Sequence, residues 1–294
     1  MKSNQYIELG PIELQEQNIQ LQKSQNPCTP KRLVIIIFLL FILFLLSFFV
    51  YFYFVFQYES ISVISWNMQD FGTTKLNNEV KMNAIKNIIS PYDVILLSEL
   101  EQSACDYDEN CEMKTYFQEN FLEHDFYMSP SLGHNQDNNQ GKEQYGFLVR
   151  KSLKVSYGHY IDTNDVFSRP PYYIYIQDYS LYISNVHITA SDNDAKKLEL
   201  QELSKFLKSL DNIVVIGDIN ICIPNSINDE SIRKDFQWII QDQETTNING
   251  RCAYDRIIAP KTFDKFGHAK VIRDENIPNL YLSDHYPIRI SFFK

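Results

Sequence analysis

The sequence is short of cysteine, of cationic charge and of glycosylation signals, and each shortage removes a class of protein. Five cysteines among 294 residues are too sparse for a disulfide-built mini-scaffold. Lys and Arg number 27 against 37 Asp and Glu, a net charge of -10. That balance argues against a protein that holds nucleic acid by basic charge alone, and leaves open an enzyme that brings in divalent cations. No Asn-x-Ser/Thr triplet occurs, so N-glycosylation is not expected. The composition is neither collagen-like nor that of a wholly disordered chain. No internal repeat or second linker interrupts it, and the length suits one large domain or two small ones with a sizeable core.

Long apolar runs are also scarce, with one exception. Leu33 to Phe56 carries no charge, no Gly and no Pro, and takes 8 of the 20 Phe residues. As a helix it would span roughly 36 Å, enough to cross a hydrocarbon core of about 30 Å with some tilt. A cleaved signal peptide would begin nearer the N-terminus and end in small residues. This run follows 32 residues and ends in Tyr and Phe, which favour the membrane–water boundary. Lys23, Lys31 and Arg32 flank its start and Glu59 its end, which places the N-terminus in the cytosol. The expectation is a single-pass type II protein. Residues 1–32, Gln- and Asn-rich, form a disordered cytosolic segment. Residues 33–56 are a transmembrane signal-anchor helix, and residues 58–294 a lumenal or extracellular domain. Cys28 lies close enough to the span for palmitoylation, or is a free cytosolic thiol.

Beyond the span the pattern changes to short strands at Ile61–Trp66, Val94–Leu97, Gly146–Val149, Tyr172–Ile176, Leu181–Val186, Ile213–Ile216 and Ile288–Phe293. Helices are expected over Asn78–Ile89 and Asp194–Leu210. In the second, Ala195, Leu198, Leu203, Phe206, Leu207 and Leu210 recur at helical spacing, with Asp192 or Asp194 as the cap. Strands mixed with helices indicate one layered α/β domain.

Polar residues gather at the strand ends: Asn67 after the first, Glu99 after Val94–Ser98, Asp218 and Asn220 after Val215–Gly217, and Asp284-His285 before the last. Ligand sites form where strand ends converge, and oxygen donors of this kind select Mg²⁺, Mn²⁺ or Ca²⁺ over zinc. A lone strand-end carboxylate is usually a cap or a solvated loop group, so the joint pattern carries the weight.

That joint pattern resembles deoxyribonuclease I, within the endonuclease/exonuclease/phosphatase superfamily, from about Ile61 to Phe293. The segments that carry it are residues 66–72 (WNMQDFG), 92–99 (YDVILLSE), 142–145 (KEQY), 167–171 (FSRPP), Val186-His187, 217–220 (GDIN), 252–256 (CAYDR) and 283–287 (SDHYP). The resemblance implies a four-layer αββα sandwich of two mixed β-sheets flanked by helices. It implies a metal-dependent endonuclease that hydrolyses DNA to oligonucleotides with 5′-phosphates. Glu99 would hold Mg²⁺ or Mn²⁺, with Asn67 and Asp284 close by. His187 and His285 would flank the scissile phosphate, oriented by Glu143 and Asp255. Asp218 and Asn220 would position water or stabilise the transition state, and Arg169 would clamp a phosphate oxygen. Such a His–carboxylate pair fixes the imidazole tautomer for acid–base work.

The resemblance further implies a disulfide between Cys222 and Cys252, worth about 3–4 kcal/mol by the chain-entropy model. It also implies structural Ca²⁺ near Asp165 and the Phe167 carbonyl, and near Glu244 and Thr246. Cys105 and Cys111 bracket an acidic loop and would form a second bridge, making four lumenal cysteines an even set. This chain departs from the family where Gln69 and Glu101 replace groove-gripping basic residues and Gly141 replaces a stacking Tyr. DNA and one membrane are the expected partners; no protein partner is inferable. Alternatives are a sphingomyelinase-like or other phosphodiesterase of the same superfamily, and a catalytically silent binding protein.

Overall fold

The structure, a computed structural model of the chain, describes residues 30–56, 59–101, 111–131, 143–191, 193–222, 230–250 and 252–294. Cys28, Cys105, Gly141, Asp192 and the expected disordered segment as far as residue 29 lie outside the described residues. Two units divide at Tyr58.

The first unit contributes helix α1 (Pro30–Phe56). Within it Leu33–Tyr51 has a hydropathy of 3.5 and is long and apolar enough to cross a membrane. Its side chains are exposed on all sides, and among the described residues of this unit none covers the apolar surface.

The second unit runs β1 (Ser60–Phe71), α2 (Thr73–Leu76), α3 (Glu79–Ile89), β2 (Val94–Leu100), α4 (Glu112–Asn120), β3 (His124–Met128), β4 (Gln144–Arg150), β5 (Val155–His159), β6 (Tyr172–Ile176) and β7 (Leu181–His187). It continues with α5 (Asn193–Ser209), β8 (Ile213–Asp218), α6 (Glu230–Asp235), β9 (Phe236–Trp238), β10 (Asp255–Pro260), β11 (Lys270–Val271), α7 (Asn276–Asn279) and β12 (Ile288–Phe293). The strands form two mixed sheets, in the orders β11-β12-β1-β2-β4-β3 and β5-β6-β7-β8-β10-β9.

Strand alternation explains the layering. In β1, Ile61 and Val63 face the second sheet, while Ile64, Trp66 and Met68 face α3 and α4. In β8, Val214 and Ile216 face the first sheet and Ile213 and Val215 face α5. Central strands buried on both faces read as unbroken apolar runs. This is the four-layer α/β sandwich, and it is held by three apolar clusters, one between the sheets and one under each helical layer.

Each sheet contains one parallel pair, β1 with β2 and β7 with β8, and every other pairing is antiparallel. A parallel pair requires a crossover, supplied by α3 in one sheet and α5 in the other. Read along their orders, the two sheets share one pairing pattern although the sequence shows no repeat. The C-terminal ends of the parallel strands carry Asn67, Glu99, His187 and Asp218.

The helices differ from expectation in detail. Asn78 caps α3, accepting the Lys81 amide. α5 begins at Asn193, so Asp194 falls inside its first turn rather than at the cap. Leu198, placed by spacing on the apolar face, is 58% exposed, whereas Glu199 is 1% exposed. A polar demand from neighbouring loops decides this face, as described below. β3, β5, β9, β10 and β11 were not expected, nor were α2, α4, α6 and α7. β5 is largely exposed and contains Gly158, and β10 opens with Asp255 and the fully buried Arg256, so neither presents an apolar run.

Asp93 ties the entry of β2 to its neighbours: its carboxylate accepts the Ser62 amide at 2.8 Å, the Ser62 hydroxyl at 2.7 Å and Arg150 Nε at 2.7 Å. Burial opposes the charge, but these donors outweigh it and hold the carboxyl below its ordinary pKa. A depressed carboxylate contributes stability above its unfolded pKa, lost as pH falls through its folded pKa. Asp93→Asn is therefore expected to cost about 2 kcal/mol at pH 7 and progressively less below pH ~4. Denaturant melts at both pH values check this; an equal loss at both would contradict it.

Candidate active site

Local backbone geometry aims the site. β1 shifts register between Asn67 and Phe71, and β2 does so between Leu97 and Leu100. Gln69, Asp70, Glu99 and Asn220 all adopt left-handed φ, between 45° and 57°. Such residues cost about 1–3 kcal/mol each and persist where surrounding structure enforces them; bulges beside active sites re-aim side chains in this way. Gly217 has φ 152°, and a Cβ there would collide with the Val186 carbonyl oxygen. Only glycine allows β8 to lie so close to β7, and this sets His187 beside Asp218 in register.

His187 Nδ1 donates to Glu143 Oε2 at 2.8 Å, and His285 Nδ1 donates to Asp255 Oδ2 at 2.6 Å. The free Nε2 atoms of the two rings lie 3.8 and 3.7 Å from the same oxygen, Asp218 Oδ2. The rings thus face one another across a buried carboxylate. His187 Nε2 is also 3.7 Å from Glu99 Oε1, and His285 Nε2 3.9 Å from Asp284 Oδ1. The Asn67 amide nitrogen bridges Glu99 at 2.7 Å and Asp218 at 3.2 Å. Asn220 donates to the Ile188 carbonyl, and its own N–H donates to Asp218. Arg169 pairs with Glu143 at 2.5 Å. All of these except Asn67 and Asp255 line one open cavity of about 790 Å³.

Electrostatics follow from this crowding. Burial pushes the Asp218 carboxyl up, reinforced by Asp255 and opposed by the two histidines. At His285 burial disfavours the charge, yet Asp255, Asp218 and Asp284 overcome it and push the ring up to about 10. Burial pushes Glu143 up, but His187 and Arg169 prevail and hold it below its ordinary pKa. At the rim, burial together with Asp70, Glu143 and Glu99 raises the Glu101 carboxyl.

No group of three or more His, Cys, Asp or Glu in metal-holding geometry occurs among the described residues. The donor chemistry still suits a hard cation: Glu99, Asp218 and Asp284 bring three carboxylates to one cavity wall, where a divalent ion would relieve their repulsion. Asn67 directs its nitrogen at Glu99, and its Oδ1 accepts the Gln69 amide. Here it acts as a strut between carboxylates.

The remaining expected residues belong to neither His–carboxylate pair. Cys222 and Cys252 are joined by a disulfide that links the segment after β8 to the start of β10. Asp165 is left-handed and Phe167 is buried, its amide held by Asp162 at 2.6 Å. Asp162, unforeseen from the sequence, keeps its Oδ1 buried without a hydrogen-bond partner among the described residues, an oxygen that fits a calcium ligand. Glu244 is exposed. The Thr246 hydroxyl accepts the Asp255 amide, and its carbonyl accepts the Tyr286 amide.

Several supporting residues were missed. The Tyr145 hydroxyl accepts the His187 amide at 2.8 Å, and the Trp66 indole donates to the His285 carbonyl at 2.8 Å. Ser283 joins the His285 amide to the Asn67 carbonyl. Glu199 accepts the amides of Ser168 and Thr189, bracing the loops that carry Arg169 and follow His187. The one available signal was its position, a single step off the apolar stripe of α5.

The profile of the Endonuclease/Exonuclease/phosphatase family matches residues 64–285. Human deoxyribonuclease gamma is 28% identical over 269 residues, covering 78% of this chain and 85% of the relative. Bovine deoxyribonuclease-1 is 27% identical over 275 residues, covering 79% and 92%. Among solved structures, a humanized zebrafish (D. rerio) TDP2 superposes with a TM-score of 0.55 at 17% identity, over 80% of this chain and 99% of that one.

Proposed function

The chain belongs to the endonuclease/exonuclease/phosphatase family as a deoxyribonuclease I-like phosphodiesterase, and on that premise we propose a membrane-anchored, divalent-metal-dependent endonuclease. It hydrolyses DNA phosphodiester bonds and leaves 5′-phosphate ends. The observation that carries this reading is the pair of His–carboxylate units facing one another across Asp218. Two such units supply, on opposite sides of one phosphate, an acceptor for the proton of water and a donor for the leaving 3′ oxygen. Glu99, braced by Asn67, and Asp284 would hold Mg²⁺ or Mn²⁺. When bound, that ion supplies Lewis-acid neutralisation of charge developing on the phosphate oxygens. Asp218 and Asn220 orient water and the transition state. Arg169, fixed by Glu143, presents its guanidinium to a phosphate oxygen. The oxygens around Asp162, Asp165 and Phe167 suit Ca²⁺, as does the Glu244–Thr246 segment.

The apolar α1, with Lys31 and Arg32 at its start, supports a type II anchor with the domain in the lumen or exterior. The Cys222–Cys252 disulfide supports an oxidising compartment on that side. A second reading, a sphingomyelinase-like lipid phosphodiesterase, draws on the acidic Asp70 and Glu101, at the second of which the family carries a cationic group, and on the membrane anchor. The intact His–carboxylate pairs speak against a silent binding protein. The chain of 294 residues in detergent is expected to turn over DNA and not a choline phospholipid in mixed micelles. Phospholipid turnover with inert DNA would overturn the nuclease reading.

A further inference from the structure

A second, smaller cavity adjoins the catalytic one. Its volume is about 230 Å³, and Gln69, Ile248, Asn249, Pro278, Tyr281 and Asp284 line it. Gln69 and Asp284 also line the larger cavity, so the two adjoin at the Asp284 carboxylate. The space is smaller than the ~300 Å³ at which drug-sized pockets begin.

Tyr281 is the unusual wall. It is 81% exposed, and its backbone is left-handed at φ 50°, a conformation that a bulky side chain adopts only under constraint. The constraint is visible. Lys81 Nζ donates to the Tyr281 carbonyl at 3.1 Å. Lys75 Nζ donates to the carbonyls of Met68, Gln69 and Leu282 at 2.7, 2.5 and 2.9 Å. The two lysines therefore tie the Tyr281 turn to α3 and to the bulge that carries Gln69, at the expense of backbone strain and of an aromatic ring left in water.

The lining indicates the ligand. Tyr281, Pro278 and Ile248 offer flat apolar surface, while Gln69 and Asn249 offer amide donors and acceptors. Asp284 is the one charged residue on this wall, which excludes a phosphate and favours a neutral planar group with polar edges. A DNA strand whose phosphate lies between His187 and His285 would place such a group, a nucleobase, within reach of this cavity. A paired base is stacked in its duplex and presents no free face; an unpaired base does.

We propose that the Tyr281 cavity is a subsite for one unpaired nucleobase near the scissile phosphate, with Tyr281 as its stacking platform. The inference rests on the nuclease reading of the adjacent site. Stacking substitutes for the cationic grip that Gln69 and Glu101 do not supply, and it makes single-stranded or locally unpaired DNA the preferred substrate over fully paired duplex.

The test uses the full chain in detergent micelles with Mg²⁺ and a single-stranded oligonucleotide carrying one abasic nucleotide, each cut mapped on a denaturing gel. Wild-type cleavage is expected to fall roughly 10-fold at bonds a fixed distance from the abasic position, the size of effect expected for loss of one base–aromatic stack. Tyr281→Gly, which relieves the left-handed strain and should melt no lower than wild type, is expected to flatten that profile, and Tyr281→Trp to restore it. DNA cleaved evenly across the abasic position by wild type, or an unchanged depression in Tyr281→Gly, would overturn the subsite alone. No cleavage of any DNA by wild type would overturn the nuclease reading, and the subsite with it.

Discussion

His187→Ala is expected to lower kcat for DNA by about 10²–10⁴-fold, the usual contribution of a positioned acid–base group, with a much smaller change in KM. The ring is held at three points: Nδ1 by Glu143, the backbone amide by the Tyr145 hydroxyl, and Nε2 near both Glu99 and Asp218. Only the last of these faces the substrate. Removing the ring leaves Glu143 paired with Arg169, so no unpaired buried charge remains to unfold the protein. Glu143→Gln should fall between wild type and alanine, because glutamine keeps a hydrogen-bond acceptor but loses the charge that fixes the tautomer. Single-turnover cleavage checks both, and a loss under threefold for His187→Ala would remove the histidine from the chemistry.

The second large effect is expected at Glu99. Its Oε1 accepts from Asn67 and its Oε2 from the Asp70 amide, so both oxygens are fixed and aimed before any cation arrives. Glutamine would set an NH₂ against one of these donors as well as deleting the charge. Glu99→Gln should therefore raise the half-saturating Mg²⁺ concentration by at least about 10- to 100-fold, the loss found when even an outer-shell partner is removed. Excess Mn²⁺ should restore part of the rate. Asp284→Asn should do less, since Asp284 is more exposed than Glu99. A Mg²⁺ titration of cleavage measures both, and an unchanged midpoint in Glu99→Gln would place the metal elsewhere.

How far the site could be read from sequence depended on the kind of residue. Glu99 and Asp218 end apolar runs, so strand pattern alone placed them at strand ends, while motif resemblance supplied His187 and the partners of His187 and His285, 44 and 30 residues away in Glu143 and Asp255. The layers were legible because β1, β2, β7 and β8 are buried on both faces and read as unbroken apolar runs. Glu199 was not legible: helical spacing put Leu198 on the inner face, but unpaired amides of Ser168 and Thr189 draw the helix round to bring in a carboxylate. Tyr145 and Trp66 stood in the sequence only as members of motif segments, with no role of their own. Their polar atoms serve backbone groups of distant segments, and no periodicity in sequence reports such a contact. The equivalent pairing of the two sheets was hidden for a related reason, since pairing order leaves no residue-by-residue repeat.

The acidity of the chain now has a location. Residues 1–57 carry four Lys or Arg and three Asp or Glu, leaving -11 on the domain that follows. Glu99, Glu143, Asp218 and Asp284 place part of that charge on the lining of one cavity, with Asp255 behind His285. A polyanionic substrate enters such a space when a cation neutralises it, and binding should accordingly be weak and metal-dependent.

The most direct measurement is nicking of supercoiled plasmid by the full chain, with Mg²⁺ and with excess chelator, beside His187→Ala. The account predicts open-circular product with 5′-phosphate ends for wild type in Mg²⁺, none in chelator, and at least a 100-fold slower rate for the variant, at the low end of general acid–base contributions. Nicking that survives chelation, or that His187→Ala performs at the wild-type rate, would contradict it.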